Sequence, residues 1–448
     1  MISDGLIVVA KRDCPTCTMI EGVLKQLDAS DQTLVVYSQD DPTFPADIGS
    51  VIDDSELENS FRLDIEIVPT LVRLRDGLEI GRTYGWHRPD WESLSGVAEL
   101  GADLAESKPG CGSRSVEPGV EEALSIRYGD VSFASRRIDV GQAEDDIEAC
   151  FDRGWSDGLP VVPPSELRVL RMLRGTTREP DEVLGNVPPA LAPCTVEKVA
   201  INAVMAGCKP EYFPVVLAAV EAVLEPDFAM HGVLATTDFA SPIVIVSGSV
   251  AKRIGMNCGV NVLGQGNRAN ATIGRSVQLV IRNVGGGIPG GVDRATLGQP
   301  GKYTYCFAED DSDETWEPLR VDRGFSKDVS TVTMFAGGGV HGIWTEAART
   351  PESLVEVQGR WLRHLGFPGT PGHATVMVTP EHYRIYEDAG WNRQRIKSAL
   401  VAASDGMILE EGLLLVRAGG AAGLGSAAIA GWGVGERGTI PITKEIGT

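Results

Sequence analysis

A short apolar run rich in β-branched residues, at positions 6–10 (LIVVA), is followed at once by Cys14-Pro15-Thr16-Cys17. Met19, Ile20, Val23, Leu24 and Leu27 then recur at helical spacing. The first run reads as a buried strand and the second as an amphipathic helix. This order of strand, Cys-x-x-Cys and helix restricts the fold more than any other feature of the chain. It sets one thiol at the start of a helix and the other one turn further in. The helix dipole and the free N–H groups there favour a thiolate, so the Cys14 pKa is expected to fall. Cys17 is placed to attack a mixed disulfide formed at Cys14. The competing reading of a Cys pair is half of a zinc site. It needs a second Cys or His pair nearby, and His87 alone is a poor offer. The redox reading is therefore preferred.

The pattern continues with a second strand at 33–37, a polar, helix-compatible stretch, and an apolar run containing Val68-Pro69-Thr70. Asp76-Gly77 makes a hairpin turn into 78–82, and a closing helix is expected from Asp90. The Cys-x-x-Cys after the first strand, Val68-Pro69-Thr70 before a strand, and the Asp-Gly hairpin together resemble the thioredoxin/glutaredoxin superfamily over residues 1–100. The resemblance implies a thioredoxin-like α/β fold and a cis Val68–Pro69 bond with Pro69 facing the dithiol. It also implies a redox-active disulfide of Cys14 and Cys17. Asp13 departs from the Trp or Gly that well-known members carry before the first Cys.

Residues 99–119 hold Gly, Ala, Ser and Pro with no apolar periodicity, and read as a linker or an ordered loop. Cys111 lies in it between Gly110 and Gly112, beside Lys108 and Arg114. Those cations are expected to lower its pKa, and a flexible tether to let it visit two domains. Cys111-Gly112-Ser113 resembles the motif of the Sec-Gly-Ser-Cys selenoproteins, with Arg114 where that family has its second Cys. The domain boundaries expected are 1–100 for the redox domain, 101–124 for the loop carrying Cys111, and 125–448 for a large α/β or α+β domain.

In the large part, Gly154-Trp155-Ser156-Asp157-Gly158-Leu159-Pro160-Val161-Val162-Pro163-Pro164 is a Pro- and Gly-fixed extended segment of the kind that lines clefts. A helix is expected from a Thr195 cap, a buried strand at 241–247, and a helix at 276–284. Between the last two lies a Gly-, Asn- and Arg-rich tract with Asn267, Arg268, Asn270 and Arg275; Lys302 follows a second glycine-rich run. Backbone amides and guanidinium forks there suit a carboxylate or phosphate, so these five residues are the expected substrate site. The Gly-x-Gly-x-x-Ala match at Gly264 lies too far from the strand before it for a nicotinamide site. Residues 337–339 and 418–433 read as glycine-rich loops, the second around a ligand, and His382 as a surface residue near a helix start. Two strand–loop–helix units, 241–284 and 331–350, suggest a duplication. The segment 154–164, the 266–270 stretch, and Gly390-Trp391 after Pro380-Glu381-His382 resemble a large domain found with the Sec-Gly-Ser-Cys selenoproteins. That resemblance implies no activity.

With 40 Lys+Arg against 62 Asp+Glu, the formal charge is −22. Such a surface repels nucleic acid and anionic membranes. No signal-peptide core or membrane-length apolar run is visible, so a cytoplasmic protein is expected. Eight Cys among 448 residues do not make a disulfide scaffold. These readings combine into a thiol-dependent oxidoreductase. The Cys14/Cys17 domain would supply electrons to a cysteine-dependent domain acting on a small anionic molecule. Cys111 or Cys258 would be the second active thiol. An external thiol or a thioredoxin-reductase-like donor would be the electron source, and a homo-oligomer is compatible. No cofactor beyond the disulfide is expected, and a metal in the C-terminal part stays open. The alternative is a cysteine- or metal-dependent lyase or hydrolase, with the redox domain only maintaining its thiol.

Overall fold

The computed structural model describes residues 3–129, 133–141, 144–313, 315–366, 370–434 and 438–447. The chain divides into two compact units, Met1–Ser132 and Phe133–Thr448.

In the first unit the strands are β1 (Gly5–Ala10), β2 (Leu34–Ser38), β3 (Val51–Asp53), β4 (Ile67–Val68), β5 (Thr70–Arg75) and β6 (Leu78–Tyr84). The five-stranded sheet runs β3-β2-β1-β5-β6. β1 is parallel to β2 and antiparallel to β5, with Val8 opposite both Val36 and Leu71. A central strand covered on both faces has no polar side to show, and all of β1 is buried. Helices α1 (Pro15–Met19) and α2 (Glu21–Asp28) follow β1, and Val23, Leu24 and Leu27 of α2 enter the core. The helix-compatible stretch after β2 contains β3 and only a short helix, α3 (Glu58–Arg62). The closing helix is α4 (Arg88–Ser95), anchored by Trp91, whose Nε1 donates to Gly85 O at 2.9 Å.

The first unit does not end near residue 100. Trp86–His87 (β7) pairs with Ser107–Lys108 (β8), and Cys111–Gly112 (β9) pairs antiparallel with β4. Helix α5 (Val120–Tyr128) completes it. Residues 101–124 are thus part of the first unit and not a tether, and the division falls after 132. Apolar periodicity could not reveal this segment, because backbone and polar side-chain hydrogen bonds hold it.

The second unit contains a hairpin, β10 (Val183–Val187) with β11 (Ala192–Thr195). Its main sheet is built from β12 (Ser241–Ser247), β13 (Cys306–Ala308), β14 (Thr331–Trp344), β15 (Gly372–Val378), β16 (Ile408–Arg417), β17 (Gly425–Val434) and β18 (Ile442–Glu445). The order is β13-β12-β14-β17-β15-β16, with β18 beside β14. Alternate residues separate two faces. Val244 and Val246 pack with α6 (Val196–Ala206), α7 (Phe213–Val223) and α8 (Arg268–Asn283). Leu413 and Leu415 pack with α9 (Pro351–Leu365), α10 (Pro380–Asp388) and α11 (Arg393–Ala403). Ile243, Ile245, Phe307, Phe335, Leu414, Val416 and Ile429 form one inner cluster. That cluster joins strands from opposite ends of the order, so the sheet is curled. Just beyond its edge strands, Asp310 N donates to Arg417 O at 2.8 Å.

Several expectations for this part are corrected. The helix placed at 276–284 begins at Arg268, with Asn267 as its cap. The glycine run 337–339 is inside β14, so the second of the two suggested repeat units is not a strand–loop–helix. The ligand loop expected at 418–433 is largely β17. Small residues serve close packing there: a Cβ on Gly431 would lie 2.9 Å from His373 O and 3.1 Å from the Phe335 ring. His382 is fully buried.

A buried ion pair ties the sheet to α11. Arg393 Nη2 lies 2.9 Å from Glu309 Oε1, with side chains 1% and 0% exposed. Glu309 also accepts from Leu319 N, Trp316 Nε1 and Ser247 Oγ. Burial pushes the Glu309 pKa up, against the pull of Arg393. Removing one partner strands the other charge. Arg393→Met is expected to lower the unfolding free energy by about 3–5 kcal/mol in urea titrations followed by tryptophan fluorescence. A loss below about 1 kcal/mol, as for an exposed pair, would contradict this.

Candidate active site

Three sulfurs converge in the first unit. Cys14 caps α1 in an extended conformation, and its Sγ accepts the Cys17 N–H at 3.4 Å. Pro15 at the first helical position has no N–H to leave unpaired. Facing the cap is the β4–β5 junction, where the Val68–Pro69 peptide is cis. In its thiol form Cys14 reaches Val68 O, 3.6 Å away. The third sulfur belongs to Cys111, which lies opposite Val68 in the β4–β9 pair and packs on the core cluster containing Cys14 and Cys17.

Their electrostatics divide the roles. Cys14 falls from 9.0 to about 5, chiefly because the Cys17 thiol hydrogen-bonds to it. The Cys17 N–H, the Cys111 thiol and the Thr16 N–H add to this, while burial works against it. Burial pushes Cys17 strongly up, and its bond to Cys14 adds to that. Cys111 is also pushed up, first by burial and then by Cys14, with only weak help from Lys11. Cys14 is thus the thiolate, and the other two are protonated donors around it. The free N–H groups expected at the helix start are those of Thr16 and Cys17; the thiols of Cys17 and Cys111 are donors that sequence reasoning did not foresee.

The expectation of a mobile Cys111 of lowered pKa is corrected. Lys108 Nζ donates to Pro15 O at 3.1 Å, and Arg114 Nη1 to Gln39 O at 2.9 Å. Both cations are spent on carbonyls, and desolvation dominates at Cys111.

The five residues assigned to an anion site are also committed elsewhere. Asn267 Oδ1 caps α8 and its Nδ2 donates to Gly255 O at 2.8 Å. Arg268 Nε donates to Gly207 O at 3.0 Å. Asn270 is buried and bonds Asn257 through both its N–H and its carbonyl. Arg275 forks onto Asp157 with two 2.8 Å bonds and also donates to Leu159 O and Pro160 O. Lys302 pairs with Asp293 at 2.9 Å. A dense Asn/Arg tract in an acidic protein here fastens loops, and it clamps the 154–164 segment to α8. Cys258 is pushed up by burial and by Asp310, so it is no ready thiolate.

Two cavities open in the second unit. One of about 620 Å³ is lined by Trp155, Pro163, Pro164, Glu197, Asn202 and Asn283. The other, of about 570 Å³, is lined by Asp157, Ser241, Gln278, Arg282, Asp293 and Lys302. The 154–164 segment therefore does border clefts. Sequence reasoning missed one buried polar network: His382 Nδ1 and Ser426 Oγ lie 2.7 Å apart, Gln358 Nε2 donates to Ser426 Oγ, and Tyr386 OH donates to Gln358 Oε1. Every member is spent on another, so it fastens α9 and α10 to β17. Periodicity offered no signal for it.

Among the described residues, no group of three or more His, Cys, Asp or Glu is placed to hold a metal ion. No helix among them is long and apolar enough to cross a membrane. Comparison with protein-family models and with curated proteins gives no match.

The reduced protein is expected to show one thiolate absorbance step at 240 nm with a midpoint at about pH 5. Because the folded value lies below the ordinary 9.0, its stabilisation of the reduced fold builds as pH rises and is lost below about pH 5. Cys14→Ser should remove the step. A step near pH 9, or one surviving Cys14→Ser, would refute the assignment.

Proposed function

We propose that the first unit is a thioredoxin-like dithiol module and that the chain is a thiol-dependent oxidoreductase. The observation that carries the reading is the Cys14 sulfur, which caps α1 beside the Val68–Pro69 junction and accepts the Cys17 N–H at 3.4 Å; these surroundings draw its pKa down to about 5. A thiolate of low pKa attacks a disulfide sulfur and also leaves readily. Cys14 attacks the substrate disulfide, one substrate thiolate leaves, and a mixed disulfide forms. Cys17 loses its proton to solvent and attacks Cys14, releasing the second thiolate and closing Cys14–Cys17. An external thiol or a thioredoxin-reductase-like donor then returns two electrons. Pro69 positions the junction and excludes water; it carries no proton.

The second unit is read as the part that acts on a small molecule. Its two cavities, of about 620 and 570 Å³, support this, since they fall in the size range of small-molecule sites. The Asn267–Arg275 tract no longer does. The alternative of a lyase or hydrolase calls for Cys111 or Cys258 as nucleophile or metal ligand; burial pushes both thiols up, which favours neither as a resting thiolate.

With cystine as substrate and dithiothreitol as donor, Cys14→Ser is expected to reduce turnover to the uncatalysed rate. Reduced Cys17→Ser, freed of dithiothreitol and given cystine, should form no Cys14–Cys17 disulfide and stop after a single round. Undiminished turnover by Cys14→Ser would overturn the reading.

A further inference from the structure

The nucleophile is covered. Cys14 is 1% exposed, whereas Cys111 keeps part of its surface. The cover is the chain's own segment 108–115, attached at both ends of the site. Thr16 Oγ1 donates to Pro109 O at 2.6 Å, Lys11 Nζ to Gly112 O at 2.9 Å, and Ser113 N to Glu66 O at 2.8 Å. Gln39 Nε2 donates to Ser113 Oγ at 2.6 Å, and Ser115 Oγ to Ile65 O at 2.7 Å. Between these anchors, β9 adds to β4 as a short antiparallel strand, which sets Cys111 opposite Val68. The fit is close at Gly110. A Cβ there would lie 2.5 Å from Ile67 Cγ2 and 2.6 Å from Val68 O. Only glycine lets the segment lie this near the junction.

We propose that Cys111 is the resident disulfide partner of Cys14: a thiol adduct formed on Cys111 is cleared by Cys14 and Cys17 without leaving the first unit. This rests on the dithiol reading above. Cys111 gives its proton to solvent and attacks a small disulfide such as oxidised glutathione, RSSR: the Cys111–SR bond forms, the RS–SR bond breaks and one RS⁻ leaves. The Cys14 thiolate attacks the Cys111 sulfur; the Cys14–Cys111 bond forms, the Cys111–SR bond breaks, and RS⁻ leaves to be protonated by solvent. Cys17 gives its proton to solvent and attacks Cys14. Cys111 leaves as a thiolate and regains a proton. Cys14 and Cys17 have each lost one electron, and the adduct has gained two. Cys111 is the group reached from outside, and Cys14 the group poised to clear it, so the two need not be exposed together. A segment docked as a strand beside the nucleophile restrains access by bulky disulfides while presenting its own sulfur.

The test uses full-length reduced protein, oxidised glutathione, acid quenching, alkylation and peptide mass spectrometry. In Cys17→Ser the second step is blocked, so an intramolecular Cys14–Cys111 disulfide should accumulate to near one per chain. Gly110→Ala, in that background, should push the segment off β4, reduce this disulfide at least tenfold and leave glutathione on Cys111 or Cys14. In wild type the final product should be Cys14–Cys17. If Cys17→Ser yields only glutathione adducts or intermolecular disulfides while wild type still forms Cys14–Cys17, the proposal for Cys111 fails and the dithiol reading stands. If wild type forms no Cys14–Cys17 disulfide, the dithiol reading itself fails. Should Gly110→Ala not fold, Cys111→Ser serves instead: with wild-type Cys17 it should close Cys14–Cys17 at least tenfold more slowly than wild type, and an unchanged rate would overturn the role of Cys111.

Discussion

The Cys14 sulfur organises the first unit. A thiolate in a nearly closed site is tolerable only if donors replace the water it has lost. Here the donors are the Cys17 thiol and N–H, the Cys111 thiol and the Thr16 N–H, and together they outweigh the cost of burial. The donors come from two structural decisions, the start of α1 and the β4–β9 pair. Cys17 is one turn into the helix, and Cys111 depends on the β4–β9 pairing. That pairing in turn needs Gly110, whose bare Cα fits against Ile67 and Val68. The charge on one sulfur thereby links the helix start, the proline junction and the segment after residue 100.

The second unit meets the same problem of buried charge on a larger scale. Glu309 and Arg393 are paired out of water, Lys397 pairs with Asp322, and Arg275 forks onto Asp157. Buried pairs give register more than net stability, because desolvation offsets most of the Coulomb gain. Glu309–Arg393 ties α11 to the edge of the sheet, Lys397–Asp322 ties α11 to the short helix Leu319–Asp322, and Arg275–Asp157 ties α8 to the 154–164 segment. The many Asn and Arg side chains near residue 270 belong to that fastening.

The first strand, the Cys-x-x-Cys helix and the hairpin were readable in the sequence, each from a local cause: apolar runs, a cap, a two-residue turn. The 241–247 strand and the Thr195 cap were readable for the same reason. The cis proline was expected only from the resemblance. Segment 101–124, read as a linker or an ordered loop, is ordered by hydrogen bonds to residues far away in sequence, among them Glu66, Ile65 and Gln39, so patterning could not decide between the two. For Cys111, the flanking Lys108 and Arg114 gave the wrong sign for its pKa. Charge in sequence says nothing about where the side chain ends, and both reach carbonyls. β17 was taken for a loop because glycine and alanine carry no β signal; its small residues are there to let Phe335 and His373 pack close. Arg275 was assigned to an anion site because its partner, Asp157, is 118 residues away and could not be foreseen.

The central claim is that the reduced site holds one thiolate and one thiol, on Cys14 and Cys17. The pH dependence of its redox potential tests this most directly. Full-length protein would be equilibrated in dithiothreitol buffers of varied ratio, with Cys14–Cys17 quantified by alkylation and mass spectrometry. Reduction that takes up two electrons and one proton shifts the potential by roughly 30 mV per pH unit, and uptake of two protons by roughly 60. The account predicts the smaller slope from pH 6 to 8, with a break towards the larger one at about pH 5, where Cys14 protonates. The larger slope throughout that range, or no reversible two-electron couple, would contradict it.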